Sequence, residues 1–343
     1  MNSAIKQRLD TFVDRFRSLQ ESSPWMRRFS MLAQLWTLIA LFVFFSLASD
    51  SFSRPINLRN ILTQVSTLAI FASGMTFVLL LGQIDLSIAT LAGLSAMISA
   101  HLYSKLGYAE PIPSLAGIGA ATGLGLISGI ASARFRIPTF MSTLAMSLIA
   151  GGLTTYISKG RVITKVSELS MTLGSKRIGG ADGLPVIVIV AIVTLAIGYV
   201  VLRYTRFGRY TYMTGASKSA ARLAGVNTDR ILVVVMTISG FCAGLAGIIS
   251  MGRLHSAQPD ATDSFLIDTI GAVVLGGTSL MGGRGGMPQT VIGLLIYGTL
   301  RNGLDNIPSI DIYLKEFITG TVLLVALLIN TVFAGRAERD QTI

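Results

Sequence analysis

Apolar residues run along this chain in blocks separated by charges, prolines and glycine clusters. The blocks fall near 31–48, 61–82, 86–106, 113–133, 138–158, 184–202, 231–251, 264–281, 287–303 and 313–333. Each is about as long as a helix needs to cross a bilayer. The pattern predicts an all-α, polytopic membrane protein with about ten transmembrane helices in a transmembrane domain over 31–334. The second and third runs, and again the eighth and ninth, are joined by only a few glycine-rich residues. Those joints are either re-entrant, broken segments or simple turns. Before the first run, Ile5, Leu9, Phe12, Val13, Phe16 and Leu19 recur at helical spacing with Lys6, Arg8, Arg15 and Arg17 off that stripe. Residues 1–30 are therefore expected to form an amphipathic helix on a cytoplasmic leaflet. No signal-peptide pattern precedes the first run, so the mature chain is expected to keep this segment.

The first joint, Gly82-Gln83-Ile84-Asp85-Leu86-Ser87, is an acidic and amide-bearing break in an otherwise apolar stretch. A carboxylate at membrane depth costs at least about 2.5 kcal/mol, so Asp85 is expected to face a water-filled cavity, a helix terminus or a protein partner, and never lipid. Gly82 reads as a helix stop, and Asp85 and Ser87 as N-cap residues of the next helix. Two readings stand at this point: a broken span whose half-helix ends meet a solute, and a hairpin turn held by a capping Asp. Gly74 to Gly93 and Gly271 to Gly293 both read as an apolar run, a polar glycine-rich break and a second glycine-bearing run. This suggests two related halves in an inverted repeat. By this match Gln83, Asp85, Ser87, Thr278 and Ser279 are the candidate substrate-path residues.

Composition agrees with the pattern: 51% of residues are hydrophobic and 13% charged, against about 25% charged in a soluble domain. The net charge of +11 sits in the flanks and short loops and not in a basic domain with interleaved aromatics, which argues against nucleic acid. Cys242 lies in an apolar run as a small packed residue, and His101 and His255 are isolated, so no metal site is expected. Lys and Arg place both termini in the cytoplasm: the six in residues 1–30, Arg134, Arg136, the six from Arg203 to Arg230, Arg284, Arg336 and Arg339 all fall on one side. Residues 335–343 form a cytoplasmic tail. The loop with Lys159, Arg161, Lys165, Lys176 and Arg177 is the exception to this distribution.

Residues 203–230 form a long polar stretch on the inferred cytoplasmic side. Ser217 can cap a short helix through Ala220, Ala221 and Leu223, and Gly225 supplies the left-handed residue that ends it, ahead of Asn227 and Asp229. Two readings again stand: a helix that docks into a groove of a soluble partner, and a basic anchor that fixes topology.

These motifs together resemble the permease subunits of bacterial ABC importers for ribose, xylose, arabinose and galactose, over about Phe52 to Thr331. The resemblance rests on Gly74-Met75-Thr76 through Gly82–Ser87, Ile137-Pro138-Thr139-Phe140, Thr205–Gly208 with Gly215 to Val226, and Asp268 followed by Gly276-Gly277-Thr278-Ser279-Leu280 and Gly282-Gly283-Arg284-Gly285, then Asn302-Gly303. It implies a bacterial inner-membrane permease that pairs with a second permease copy or paralogue, a cytoplasmic ABC ATPase and a periplasmic binding protein. ATP and Mg would then sit on the ATPase, with no cofactor on this chain. It also implies a coupling loop carrying Arg206, Gly208, Gly215, Ser217, Arg222 and Gly225, and a structural motif of Asp268, Gly276, Gly277, Gly282, Gly283 and Arg284. The sequence departs from the family pattern at Gln83, where a second glycine is usual, at Ala89-Thr90, at Thr139 for a proline, and at Leu266 for a frequent Glu. No phosphate-binding loop is present, so ATP hydrolysis belongs to a partner. An ion-coupled secondary transporter using Asp85, Asp268 and Glu316 is the second reading. A membrane enzyme, lacking a nucleophile and base or a metal cluster, is the third.

Overall fold

A computed structural model describes residues 33–180, 183–308, 311 and 313–325. Its helices are α1 (Ala33–Ala48), α2 (Pro55–Leu80), α3 (Ile88–Ser104), α4 (Ile112–Phe135), α5 (Thr139–Ser158), α6 (Glu168–Gly174), α7 (Val186–Tyr204), α8 (Arg206–Ala216), α9 (Lys218–Leu223), α10 (Thr228–Leu254), α11 (Phe265–Leu275) and α12 (Met287–Asp305). A final helical stretch covers 313–325, and a two-residue hairpin joins β1 (Arg177–Ile178) to β2 (Leu184–Pro185). Each apolar run of the sequence contains one of these helices. Five of them, α2, α4, α5, α7 and α10, are long and apolar enough to cross a membrane by length and composition. The N-terminal amphipathic segment and the C-terminal tail lie outside the described residues.

One run is shorter than its pattern. Residues 264–281 read as a span, but α11 stops at Leu275 after 11 residues, about 16 Å at about 1.5 Å per residue against a hydrocarbon core of roughly 30 Å. Gly277, at φ +96°, turns the backbone into the left-handed region, and Leu280 and Met281 belong to the loop beyond it.

α2 and α10 form the centre of the bundle, with most of their residues buried. α10 meets α4 through small residues at four-residue spacing. A methyl group added to Gly125 would stand 3.0 Å from the Gly240 Cα, and one on Gly244 2.8 Å from the Ile118 Cα. Small residues let backbones approach where lipid gives no hydrophobic drive to association. α4, α5 and α7 turn large apolar side chains outward, including Ile127, Leu148 and Ile192.

The connections separate into two poles. At one, the α2–α3 and α11–α12 joints meet each other, the start of α5 and the α8–α9 loop. At the other, Ile163 and Ala257 exchange backbone hydrogen bonds (3.0 and 2.8 Å), and Asn57 Nδ2 donates to Asn302 Oδ1 at 2.8 Å.

Candidate functional site

Both joints begin with the same helix stop. At the end of α2, Gly82 N–H donates to the Leu79 carbonyl (2.8 Å) and Gln83 N–H to the Val78 carbonyl (3.2 Å), with Gly82 at φ +66°. At the end of α11, Gly277 N–H donates to Val274 (2.8 Å) and Thr278 N–H to Val273 (3.3 Å). Each is a Schellman cap, in which a left-handed residue closes the last carbonyls of a helix. The similarity between the two halves thus extends from composition to backbone hydrogen bonding. α9 ends the same way, with Gly225 at φ +81° donating to Arg222 (2.9 Å) and Val226 to Ala221 (2.9 Å).

Beyond Gly82 the chain turns around Asp85, which is fully buried. Its Oδ1 accepts from the Ser87 N–H (2.9 Å) and the Ser87 hydroxyl (2.6 Å), and its Oδ2 accepts from Ser239 Oγ on α10 at 2.6 Å. The carboxylate therefore meets a protein partner and a local turn, one of the environments expected for it. The capping detail differs from expectation: Ser87 occupies the N-cap of α3 but its side chain caps no amide, because the hydroxyl is turned back to Asp85. Gln83 Oε1 accepts from Thr139 Oγ1 (2.5 Å). Two of the positions that depart from the family pattern are thus one hydrogen-bonded pair between the first joint and α5. The Leu86 N–H donates to Thr143 Oγ1 (3.1 Å), adding a second tie to α5.

In the second joint Thr278 is buried and its Oγ1 accepts from the Gly286 N–H (3.4 Å), while Ser279 and Arg284 close the loop through Ser279 N–H to the Arg284 carbonyl (3.0 Å). The two joints touch directly: Gly283 N–H donates to the Leu80 carbonyl at 2.9 Å. The end of α8 lies against both. A methyl group on Gly215 would run into the Leu80 carbonyl and stand 2.8 Å from the Gly283 nitrogen, and one on Gly282 would stand 2.7 Å from the Gly82 nitrogen and 2.8 Å from the Gly215 carbonyl. Three segments far apart in sequence meet here because glycines leave their backbones bare. Tyr212 on α8 adds a side-chain tie, its hydroxyl donating to the Gly285 carbonyl (2.8 Å). Burial pushes that hydroxyl above its ordinary pKa against the opposing effect of Arg203, so it stays a neutral donor near pH 7.

The rest of the loop is a pair of capped short helices. Thr205 caps α8 by accepting from the Gly208 N–H (3.1 Å), and Ser217 caps α9 by accepting from Ala220 N–H (3.3 Å). A side chain on Gly208 would strike the Leu202 carbonyl. Arg222 bridges to Thr228 Oγ1 (3.0 Å) and Asp229 Oδ1 (3.0 Å), fixing α9 to the start of α10. Arg206 and Leu223 remain exposed.

Asp268 lies away from these joints, toward the opposite pole. It accepts from the Tyr297 hydroxyl and from Arg301 Nη1, both on α12. This network borders a cavity of about 210 Å³ lined also by Gln64, Arg253 and Ser264 and by Val65, Leu68 and Phe265. The partner of Asp268 is Arg301, which lies in the ninth apolar run, 33 residues further on. The signal was an arginine four residues after a tyrosine in the otherwise apolar ninth run. Among the described residues no group of three His, Cys, Asp or Glu side chains gathers to hold a metal.

A helical bundle with capped joints, a polar loop seated on them and an apolar exterior fits a polytopic membrane permease. The chain matches the family described as branched-chain amino acid transport system / permease component over residues 57–327, and it belongs to that family. It is 38% identical over 312 residues to a ribose import permease protein of Escherichia coli (strain K12), covering 90% of this chain and 95% of that protein. It is 40% identical over 293 residues to the ribose import permease protein of Haemophilus influenzae, covering 85% and 90%. With the D-allose transport system permease protein of E. coli it shares 32% over 294 residues, covering 85% and 88%. The chain is thus the permease component of an import system, a multi-pass protein of the bacterial inner membrane that is not itself catalytic.

Proposed function

We propose that this permease serves an ATP-driven ABC importer for a monosaccharide or similar small polar solute, working as a pair of permease subunits with a cytoplasmic ABC ATPase and a periplasmic binding protein. The observation that carries this reading is the seating of α8 on both joints at once through Gly215. A soluble motor that pushes on α8–α9 displaces the ends of α2 and α11 together, which is what a subunit without its own nucleotide site needs. The two joints, with Gln83 and Ser279 at their accessible rim and Asp85, Ser87 and Thr278 holding their walls, form the inner end of the solute path. Their amide and hydroxyl groups replace part of a solute's hydration without tight binding. The relatives named for ribose and allose favour a monosaccharide. The alternative of ion coupling through Asp85 and Asp268 is weakened by their partners: the first is satisfied by three donors and the second is paired with Arg301.

In this reading the α8 pole and both termini face the cytoplasm. Single cysteines at Ser219 and Ser175, in a Cys242→Ala background, test it: an impermeant thiol reagent applied to whole cells labels the Ser175 position and spares Ser219. The transport claim is tested by reconstituting the permease with the ATPase and binding protein encoded beside it and measuring ATP-dependent uptake of ribose, allose and fructose. Uptake of none of the three, with the full complex assembled and hydrolysing ATP, overturns the monosaccharide assignment.

A further inference from the structure

At the α8 pole lies a second cavity of about 630 Å³, which borders the junction at Tyr212, Gly283 and Gly285. Arg203 from the last turn of α7, Arg209 from α8 and Arg284 from the second joint all line it. Among the described residues none of the three makes an ion pair or a side-chain hydrogen bond. The cavity is also bordered by Met287, Pro288 and Gln289, the first turn of the 19-residue α12, which has no side-chain N-cap and no acidic residue. Three cations and the start of a helix with no side-chain cap converge on this cavity.

What lies beside the cavity indicates where the anion comes from. Above Arg203, the α7 stripe Ile192, Ala196 and Tyr199 is exposed and continuous along one face, with Ile192 58% and Tyr199 39% accessible. Tyr199 and Tyr204 form an edge-to-face pair at this level, where aromatic side chains gather at the membrane boundary. An acyl chain fits the stripe and a phosphodiester fits the arginines. A nucleotide or free phosphate would use only the second, and an acidic patch of the ATPase would not use the apolar stripe.

We infer that the cavity between α7, α8 and the second joint binds the headgroup of an anionic phospholipid from the cytoplasmic leaflet, with an acyl chain along α7. Because Arg209 lies on α8 and Arg284 on the joint that α8 touches, the bound headgroup braces the coupling helix against the bundle. The inference uses the cytoplasmic placement of this pole but not the choice of solute.

The test purifies the full importer complex in nanodiscs of phosphatidylcholine with and without phosphatidylglycerol and counts retained phosphatidylglycerol by native mass spectrometry. Arg203→Gln and Arg209→Gln should each lower retention roughly fivefold, the size of one arginine's attraction to an anionic surface. The ATPase subunit should still co-purify at the unmodified ratio. Retention equal to the unmodified complex in both variants overturns the proposal. So does equal displacement of the lipid by inorganic phosphate or soluble glycerophosphoglycerol, which would make the site one for a free anion. Loss of the ATPase subunit from both variants in either membrane also overturns it, since the arginines would then be an ATPase contact. Lipid retention is read without transport, so this outcome is separate from the uptake result.

Discussion

The two poles of the bundle are joined with a different emphasis. Around α8, segments meet backbone to backbone at Gly82, Gly215, Gly282 and Gly283, and Asp85 is the one charged side chain that the junction buries. At the other pole, helices are tied largely by polar side chains: Asn57, Asn302 and Asn306, Ser49 and Ser51, and Asp268 with Tyr297 and Arg301. Backbones also meet there, since a methyl group on Gly252 would run into the Ser170 carbonyl, but the loop glycines Gly107 and Gly160 have nothing within 4 Å of an added methyl group. A backbone contact transmits a displacement with no side chain to absorb it. A network of flexible side chains yields and re-forms. In the proposed mechanism, the first suits the end that receives a push from the ATPase, and the second suits an end that opens and closes around a solute.

The largest effect is expected where the α8 pole relies on a side chain. Asp85→Ala leaves the buried Ser239 and Ser87 hydroxyls without their acceptor, at about 1–3 kcal/mol for each group left unsatisfied. The yield of folded complex and its thermal midpoint in detergent should both fall. Asp85→Asn should be near normal, because one oxygen still accepts from Ser87 and the amide can donate to Ser239. Equal losses in the two variants would show that the charge matters and that geometry alone does not hold the turn. At the opposite pole, Asn302→Ala removes the acceptor shared by Asn57 Nδ2 (2.8 Å) and Asn306 Nδ2 (3.1 Å). It is expected to cost about 1–2 kcal/mol of thermal stability, since those amides keep bonds to Phe52 and to the residue 302 backbone. A loss as large as that of Asp85→Ala would erase the contrast between a rigid and a yielding pole.

Smaller effects sharpen the contrast. Gly225→Val has open space around it but forces a branched residue to φ +81°, for about 1–2 kcal/mol of local strain. It should tilt α9 and reduce ATPase stimulation while leaving assembly intact, and survival of full stimulation would remove α9 from the coupling path. The smallest concerns Gln83 and Thr139. Single alanine variants and the double variant form a cycle whose interaction energy in thermal denaturation should be about 0.5–1.5 kcal/mol. Each single variant should lower uptake per assembled complex if these groups border the solute path. Unchanged uptake from Gln83→Ala would make the first joint a structural turn only.

How much of this was legible in sequence follows from what each feature needs. The helices were, because apolar runs of spanning length are a local signal and every run contains one. The stops at Gly82 and Gly225, and the cap at Ser217, were legible too, since caps depend on residues two to four positions apart. α11 was overextended because Leu280 and Met281 continue the apolar pattern past the glycines that end the helix. Asp85 stands out in the sequence as a charge at depth, but its partner Ser239 lies 154 residues away, so the sequence leaves the solute-path and capping readings both open. The link between Gln83 and Thr139 was hidden for the same reason: two departures from a family pattern become one contact only when α5 is folded against the first joint. Arg301 was the missing partner of Asp268, and nothing local to residue 268 points to it.

The central claim is that α8 drives both joints through the bare backbone at Gly215, and sugar moved per ATP hydrolysed in reconstituted complexes measures it most directly. Gly160→Ala serves as the control, a methyl group at a left-handed glycine with no neighbour. With Gly215→Ala the account predicts that assembly and ATP hydrolysis persist while the ratio of transport to hydrolysis falls roughly 5–150-fold, the span of a coupling of about 1–3 kcal/mol, and that Gly160→Ala keeps the unmodified ratio. An unmodified ratio in assembled Gly215→Ala complexes would contradict the claim.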